Sequence, residues 1–340
     1  MPLIRAHRLY ERTVELLTAE GLESRDAQAV ADHLVSAELW QRPTHGVSVR
    51  LPKILDEVRN GLGTRRPEVA ADNGSAVVID GHDGFGFVSG ARAAELLIER
   101  ARRHRIAAVA VRNSGHTGLM AYYLRIVARG EVAGIAFAHC MPLMAPHNAS
   151  TAFFGTNPVG FGFPADPDPV IVDFATSKLT YGEVARCAQR GEALQEGCAV
   201  DGEGNPTTEP EAARQGALLP FGGHKGSALA LAVQLLAGPL IGALPVPEPR
   251  VGYGLLLLGI AHDAFQSTAQ YYGAADELLQ AYQAVATQDG RGPHVPGQRF
   301  TRTLDTDPGT ELDITPETAR LLGVEGGSSE DHSSSRSGGG

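Results

Sequence analysis

Cysteine is scarce in this sequence. Its 340 residues include three cysteines, Cys140, Cys187 and Cys198, and no C-x-x-C pair. A disulfide framework is therefore excluded, and a reducing compartment is the expected environment. The motifs H-E-x-x-H and G-K-[ST] are also missing, which excludes that type of zinc site and a Walker A nucleotidase. We expect no bound metal.

Basic residues are outnumbered by acidic ones. Lys and Arg total 29 and Asp and Glu total 39, so the formal net charge is −10. Nucleic acids and anionic membranes are bound through clustered Lys and Arg, so neither is an expected partner. Residues 5–12 are charged and offer no apolar secretion signal. Gln234 and Pro239 interrupt the apolar run 227–246, which favours a buried helix followed by a turn over a membrane span. We expect a soluble, cytoplasmic protein.

Glycine is abundant, with 41 residues or about one in eight, against a usual share of roughly 7%. This excess indicates many tight turns and close backbone approaches. Hydrophobic residues make up 43% of the chain, which is enough for a globular core. A length of 340 residues suggests about two domains.

Helical periodicity fills the first sixty residues, and strands then alternate with helices from residue 76 to residue 138. Another strand is predicted at 254–260 and another helix at 263–285, whereas 142–169 is dense in Pro, Gly and Asn and predicts loops. This order is typical of a layered α/β protein. We predict a helical N-terminal part over 1–75, a cofactor- and substrate-binding α/β region over 76–325, and a disordered tail over 326–340.

A glycine-rich turn at residues 84–90 follows a predicted strand and precedes a predicted helix. Its spacing is G-x-G-x-x-x-G, whereas the dinucleotide fingerprint is G-x-G-x-x-G with an acid about twenty residues later. A helix-capping turn explains the same glycines, so both interpretations stay open from local sequence.

Two histidines lie in polar turns between predicted elements. His45 follows Pro43-Thr44 and precedes a glycine, where an imidazole can pack or act as an acid or base. His116 stands between a strand and a helix, where free backbone N–H groups can hold phosphate or carboxylate. A plain polar turn explains His116 equally well.

Three further positions carry polar groups near predicted strand or helix ends. Asp173 follows a strand and can cap a helix or grip a ribose hydroxyl. Glu183 is, by composition alone, a solvated helix acid. His224 and Lys225 precede a very apolar helix, and a lone Lys at that place indicates contact with an anion.

Five ordered strings together resemble the type 2 malate/L-lactate dehydrogenase family, over roughly residues 10–320. The strings are Asn113-Ser-x-His116, Gly155-Thr-Asn-Pro158, Asp173-x-Ala-Thr-Ser177, Asp201-x-x-Gly-x-Pro-Thr-Thr208 and Pro220-Phe-Gly-Gly-x-Lys-Gly226. Within the family the sequence looks closest to the Δ1-piperideine-2-carboxylate/Δ1-pyrroline-2-carboxylate reductases. The resemblance to these reductases rests on the string at 220–228 together with Gly182-Glu183. Hydroxy-acid members of the family typically carry Gly-Lys in place of Gly182-Glu183.

The resemblance implies an α/β nicotinamide-binding fold that is not a Rossmann domain, with a mainly antiparallel sheet and a helical N-terminal and C-terminal portion. It also implies a homodimer and favours NADPH (NADP) over NADH. The glycine run at 84–90 then has no cofactor role.

The resemblance also assigns site residues. A proton relay of Thr44, His45 and Glu183 is implied as the catalytic group, and Thr156 as a substrate contact; relatives usually have Ser and Asp where this chain has Thr44 and Glu183. The implied cofactor contacts are Arg50, His116, Thr117, Gly118, Leu119, Met120, Asp173, Phe174, Ala175, Tyr181, Gly182, His224, Lys225, Pro296, Gly297, Gln298, Arg299, Phe300, Thr301 and Arg302.

The expected reaction is NAD(P)H-dependent reduction of a cyclic 2-imino acid to L-proline or L-pipecolate, with His45 as proton donor. A carboxylate at position 183 suits a protonated C=N, whereas a lysine would suit a carbonyl oxygen that gains negative charge. One such contact is worth ~4 kcal/mol at about 4 Å and an effective dielectric near 20. The alternatives are a malate/lactate-type 2-oxo acid dehydrogenase and a non-catalytic cofactor-binding relative.

Overall fold

The computed structural model describes residues 2–287 and 292–324, except for the side chain of Arg299. The predicted disordered tail at 326–340 lies outside the described residues. Ten α-helices occur in this described part. They are α1 (Ala6–Ala19), α2 (Ser24–Leu39), α3 (Val47–Arg59), α4 (Gly86–His104), α5 (Met120–Arg129), α6 (Tyr181–Arg190), α7 (Pro210–Gln215), α8 (His224–Ala237), α9 (Thr268–Gln283) and α10 (Pro316–Leu321).

Twelve strands accompany these helices within the same ranges. They are β1 (Leu3–Arg5), β2 (Glu68–Asp72), β3 (Ala76–Gly84), β4 (Ile106–Ser114), β5 (Val132–His139), β6 (Val159–Phe163), β7 (Val170–Phe174), β8 (Ala199–Val200), β9 (Pro206–Thr207), β10 (Ala217–Leu218), β11 (Tyr253–Ala261) and β12 (Glu311–Asp313). The expected α/β class is confirmed.

The central sheet has seven strands in the order β2-β3-β4-β11-β5-β6-β7. Strands β3 and β4 are parallel, and the other neighbouring pairs are antiparallel, so the sheet is mixed. Strand β11 is covered on both faces: Leu255 and Leu257 join the main core, and Leu256 joins a smaller cluster on the other face. Burial on both faces explains why this strand is a continuous apolar run rather than an alternating one.

The main hydrophobic core includes side chains of the N-terminal helices, the sheet and α10. Leu9 of α1, Leu34 of α2 and Leu257 of β11 all belong to it and are fully buried. A second cluster around Met144, Val184 and other residues lies under α6. The helices before residue 76 therefore share their core with the sheet.

Two local expectations are wrong. Strand β6 lies inside the segment 142–169 that was expected to be loops; its sequence Val-Gly-Phe-Gly-Phe pairs with β5 and β7 although glycine is a poor strand former. The apolar helix α8 was expected to be buried, but Leu231 is 47% exposed and Leu235 is 54% exposed. No described helix combines the length and apolarity that a membrane crossing requires.

The glycine-rich turn at 84–90 has a packing role in the structure. Strand β3 ends at Gly84 and α4 begins at Gly86. A Cβ on Gly86 would lie 2.5 Å from the carbonyl oxygens of Gly115 and His116. The glycine therefore lets helix α4 sit directly against the turn that carries His116.

We expect Gly86→Ala to lower the free energy of unfolding by about 1–3 kcal/mol, because the new methyl group must displace backbone oxygens. Gly273→Ala is the control. A methyl group at Gly273 in α9 meets no atom within 4 Å, so this change should stabilise the protein by up to ~1 kcal/mol. Denaturant unfolding followed by circular dichroism measures both, and equal effects would contradict the packing role.

Candidate active site

His45 lies in a 3-10 turn, Pro43–His45, between α2 and α3. Pro43 begins the turn, and Gly46 ends it with extended backbone. The hydroxyl oxygen of Thr44 lies 3.1 Å from Nδ1 of His45. Thr44 therefore fixes the orientation of the imidazole and leaves its Nε2 edge as the working edge.

His116 stacks on His45 across the site. The two ring centroids are 6.0 Å apart with an interplanar angle of 22°, and Phe87 of α4 contacts His116 edge-on at 5.9 Å. Nε2 of His116 is buried and has no hydrogen-bond partner among the described residues. A buried polar atom without a partner is costly, so this nitrogen is available to a bound molecule.

Arg50 brings a positive charge to the two histidines. It lies in the second turn of α3, and its Nε donates a hydrogen bond of 3.1 Å to the carbonyl oxygen of Thr44. Burial lowers the pKa of both His45 and His116 well below the usual range, and the charge of Arg50 lowers each pKa further. Both imidazoles are therefore neutral at physiological pH.

The positive charge of Arg50 is only weakly compensated by negative groups in the described part of the chain. No ion pair joins Arg50 to a carboxylate in the part of the chain that the structure describes; Glu57 acts on it only at longer range. Lys53, one turn further along α3, has a pKa lowered by burial and then by Arg50 and other cations. This concentration of positive charge favours an anionic ligand.

The start of helix α5 lies beside His116 and is already capped. The Leu119 N–H donates to Nε2 of His33 at 3.0 Å, and the Ala121 N–H donates to the Asp173 carboxylate at 2.9 Å. Burial raises the pKa of Asp173, and backbone hydrogen bonds from Ala121 and Met120 oppose that rise. Asp173 thus caps helix α5, which precedes it in the chain.

Thr156, the predicted substrate contact, is held through its backbone. Its carbonyl oxygen accepts hydrogen bonds from the N–H and hydroxyl of Thr176 at 2.8 and 3.0 Å. Burial raises the pKa of the Cys140 thiol to about 11, while a hydrogen bond with the Thr156 backbone and the charge of Arg50 oppose the shift. Cys140 therefore connects the neighbourhood of Thr156 with that of Arg50.

Glu183 has a structural contact that the relay hypothesis did not anticipate. Its carboxylate accepts hydrogen bonds from the N–H and hydroxyl of Thr180 at 2.7 and 2.8 Å, which forms a capping box at the start of α6. The backbone is close to the relay, since a Cβ on Gly182 would lie 2.6 Å from Cβ of Thr44. Among the described hydrogen bonds, none joins Glu183 to Thr44 or His45.

Two further groups of predicted cofactor residues are residues 296–302 and the pair His224 and Lys225. Residues 296–302 pack against β7 and the end of α2: the Ile171 N–H donates to the Pro296 oxygen at 3.2 Å, and the Trp40 indole donates to the Arg302 oxygen at 2.8 Å. His224 and Lys225 form the exposed start of α8. No described contact joins His224 or Lys225 to His45.

The family comparison decides the class of the protein. The sequence model of the Malate/L-lactate dehydrogenase family matches residues 4–322. The chain belongs to this family. The expected resemblance is confirmed, and pyrroline-2-carboxylate reductases are among the relatives.

Named relatives of this malate/L-lactate dehydrogenase family member act on different substrates. An L-sulfolactate dehydrogenase from Methanothermobacter thermautotrophicus is 35% identical over 78% of this chain and 81% of the relative. A Δ1-pyrroline-2-carboxylate reductase from Agrobacterium fabrum is 34% identical over 93% and 94%. The crystal structure of Δ1-piperideine-2-carboxylate reductase from Pseudomonas syringae superposes with a TM-score of 0.85 at 29% identity, over 95% of this chain and all of that chain. Membership makes the chain an oxidoreductase of the dehydrogenase/reductase type that uses a nicotinamide cofactor.

Three residues of this dehydrogenase-family site escaped the sequence interpretation. They are His33 and Glu38 of α2 and Lys53 of α3. His33 is fully buried and Glu38 is 9% exposed, although both are polar. The sequence did contain a signal for His33 and Glu38. Each is a polar residue within the apolar stripe of an amphipathic helix, where a buried polar group without a hydrogen-bond partner is costly.

Removing the Arg50 charge should raise the pKa of both site histidines. We expect Arg50→Met to shift the titration of His45 and His116 upward, although burial still holds both below 6.5. Titration of the ring resonances by NMR measures this shift. Arg8→Met, an exposed change on α1, is the control, and identical titrations for Arg50→Met and wild type would contradict the proposed electrostatic contact.

Proposed function

We propose that this protein oxidises and reduces C2 of a small carboxylic acid, with His45 exchanging the proton. One observation carries the proposal: a half-buried, neutral imidazole, oriented by Thr44, lies beside a guanidinium that lacks a carboxylate partner in the described chain. The guanidinium attracts the carboxylate of a substrate. The imidazole exchanges a proton with the oxygen or nitrogen bound to C2, the carbon next to that carboxylate.

Substrate binding itself tunes the acid. The positive charge of Arg50 contributes to the low pKa of His45, so a substrate carboxylate beside Arg50 offsets that contribution and raises the pKa. His45 then takes up a proton more readily in the complex and donates it during reduction. In the oxidation direction the neutral ring accepts the proton of a 2-hydroxyl group.

Several groups fit a nicotinamide cofactor, which supplies or accepts the hydride when bound. The unsatisfied Nε2 of His116 offers a polar atom inside the site. Residues 296–302, His224 and Lys225 are the other predicted contacts. Arg302 is exposed at the end of its segment, where a guanidinium can pair with a 2′-phosphate, and this supports NADPH over NADH.

The charges around the site favour a 2-oxo acid as substrate. The expected preference for a cyclic imine depended on the Glu183 carboxylate facing the substrate, and that carboxylate instead accepts two hydrogen bonds from Thr180. The cations that act on His45 are Arg50 and Arg42, and Lys53 acts on His116. Cations stabilise the negative charge that develops on a carbonyl oxygen during hydride addition.

A cyclic 2-imino acid is the second candidate. The chain is 34% identical to a Δ1-pyrroline-2-carboxylate reductase over 93% of its length. Both site imidazoles are neutral in the free protein, so neither repels a protonated C=N group. A cyclic imino acid also carries the carboxylate that Arg50 would bind.

The function is tested by nicotinamide absorbance with NADPH and NADH against oxaloacetate, pyruvate, sulfopyruvate and five- and six-membered cyclic imino acids. We expect turnover of a 2-oxo acid, and His45→Ala should lower kcat by ~10²–10⁴, the usual contribution of a positioned acid. Glu183→Gln should leave kcat within a few-fold and cost about 1 kcal/mol of stability through the weakened cap.

The outcomes of this assay are distinct. Turnover of cyclic imines alone, with a large loss in Glu183→Gln, would favour the relay and the imine reaction. Nicotinamide binding without turnover of any of these acids would favour a non-catalytic relative. Wild-type turnover in His45→Ala would refute the role of His45.

We also propose a homodimer, as the resemblance to the family suggested. Helix α8 and the following turn expose Leu231, Leu235, Leu240 and Leu244, which are 47%, 54%, 68% and 39% accessible. No charged residue interrupts residues 226–244. An uncharged apolar surface of this kind pairs with itself across a two-fold axis without like-charge repulsion.

Light scattering after size exclusion should give twice the chain mass of 35.8 kDa. Leu235→Glu together with Leu240→Glu should shift the protein toward one chain, because buried unpaired carboxylates are costly at an interface. Leu278→Glu, an equally exposed change on α9, is the control. An unchanged dimer in the double variant would place the interface elsewhere.

A further inference from the structure

Helix α2 carries two buried polar side chains that reach different parts of the site. His33 and Glu38 are five residues apart, a rise of about 7.5 Å along the helix axis. Both are enclosed, with 0% and 9% of their surface accessible. Each caps backbone N–H groups of another segment, and each lies against a glycine of that segment.

Glu38 holds the segment that carries His45. Its carboxylate accepts the Ser48 N–H at 3.2 Å and also a hydrogen bond from the Val47 backbone. These groups begin α3, whose N-cap residue is Gly46 and has no side chain to cap with. A Cβ on Gly46 would overlap the Glu38 carboxyl group, so the carboxylate rests directly on the backbone next to His45.

His33 holds the segment that carries His116. Its Nε2 accepts the Leu119 N–H at 3.0 Å, and a Cβ on Gly118 would overlap this nitrogen. Burial lowers the pKa of His33 to about 3. The ring is therefore neutral at physiological pH and keeps Nε2 as an acceptor.

We propose that α2 sets the separation of the two site imidazoles, with Glu38 and His33 as positioning residues that fix the turns carrying His45 and His116. His45 directly precedes Gly46, and His116 lies two residues before Gly118. A single rigid helix thus connects both attachment points of a ring stack with a 6.0 Å centroid distance. The catalytic consequence rests on the proposed function of His45.

The contact between the Glu38 carboxylate and the start of α3 depends on pH. Burial raises the pKa of Glu38 to about 7, and the hydrogen bonds from Ser48 and Val47 oppose this rise. Besides Glu38, the charged or titratable side chains are Arg25, Asp26, Asp32 and His33 on α2, Arg42 and His45 in the following turn, and Arg50, Lys53, Asp56, Glu57 and Arg59 on α3. As pH falls through about 7, the carboxylate is neutralised and loses its attraction for the start of α3. Turnover should fall with it.

Glu38→Gln and His33→Leu are the principal test variants. Glu38→Gln corresponds to the neutral carboxyl group and His33→Leu removes the acceptor. We expect each to lower kcat by about 10- to 100-fold, because displacements near 1 Å cost that much, with a smaller change in KM. Glu38→Gln should also lose the inflection near pH 7. His33→Gln keeps an acceptor and should restore most of the activity.

Two further variants complete the design. Gly46→Ala is compatible with its backbone φ of −87° but displaces the Glu38 carboxylate. It should therefore cause the same loss of kcat as Glu38→Gln, and it replaces Glu38→Gln in the test if that variant folds poorly. Gln28→Ala, an exposed change on the same helix, should leave kcat and KM unchanged.

NMR of the His45 and His116 ring resonances provides a readout that does not depend on turnover. Both sets should shift in Glu38→Gln and His33→Leu and stay fixed in Gln28→Ala. Unchanged resonances, kcat and pH profile would overturn the proposal, even with a lower melting temperature. The hydrogen bonds of Glu38 and His33 would then contribute to stability alone. If wild-type protein turns over no acid, the proposed function fails while the ring shifts still decide the role of α2.

Discussion

Burial of imidazoles beside a guanidinium is the constraint on which the rest of the site depends. Desolvation is the largest cause of the low pKa of His33, His45 and His116, and the charge of Arg50 adds to it. The enclosure keeps the rings neutral, so they act as hydrogen-bond acceptors and proton carriers rather than as further cations. The positive charge of the site is thereby left to cations such as Arg50 and Lys53, which supports the proposal that the substrate is an acid.

Close approaches at glycines bring the site segments together. Gly86, Gly46, Gly118 and Gly182 each admit a neighbouring atom into the place of a side chain, and the neighbours of Gly86 and Gly182 belong to the segments that carry His116 and His45. The abundance of glycine noted in the sequence has its explanation here. Family membership sets the oxidoreductase class, whereas the choice between a carbonyl and an imine depends on local charge.

Much of the fold and part of the site were accessible from the sequence. Periodicity predicted the helices and most strands, and the turn residues around His45 and His116 predicted polar loops that the structure brings together. The orientation of Glu183 was not accessible, because the nearby Thr180 offers the same carboxylate two hydrogen bonds at short range. His33 was overlooked since its acceptor serves Leu119, 86 residues along the chain, and Glu38 since it caps the start of α3 from within the preceding helix. The exposure of Leu231 and Leu235 depends on what packs against α8, which periodicity alone does not specify.

The position of β11 bears on how the chain is made. This strand, Tyr253–Ala261, is inserted between β4 and β5, which end more than a hundred residues earlier. Until β11 has left the ribosome, the facing edges of β4 and β5 lack the strand that pairs with both. Such long-range pairing slows folding and leaves edges open to other chains. The central sheet is therefore completed late in synthesis, after more than 250 residues have been made.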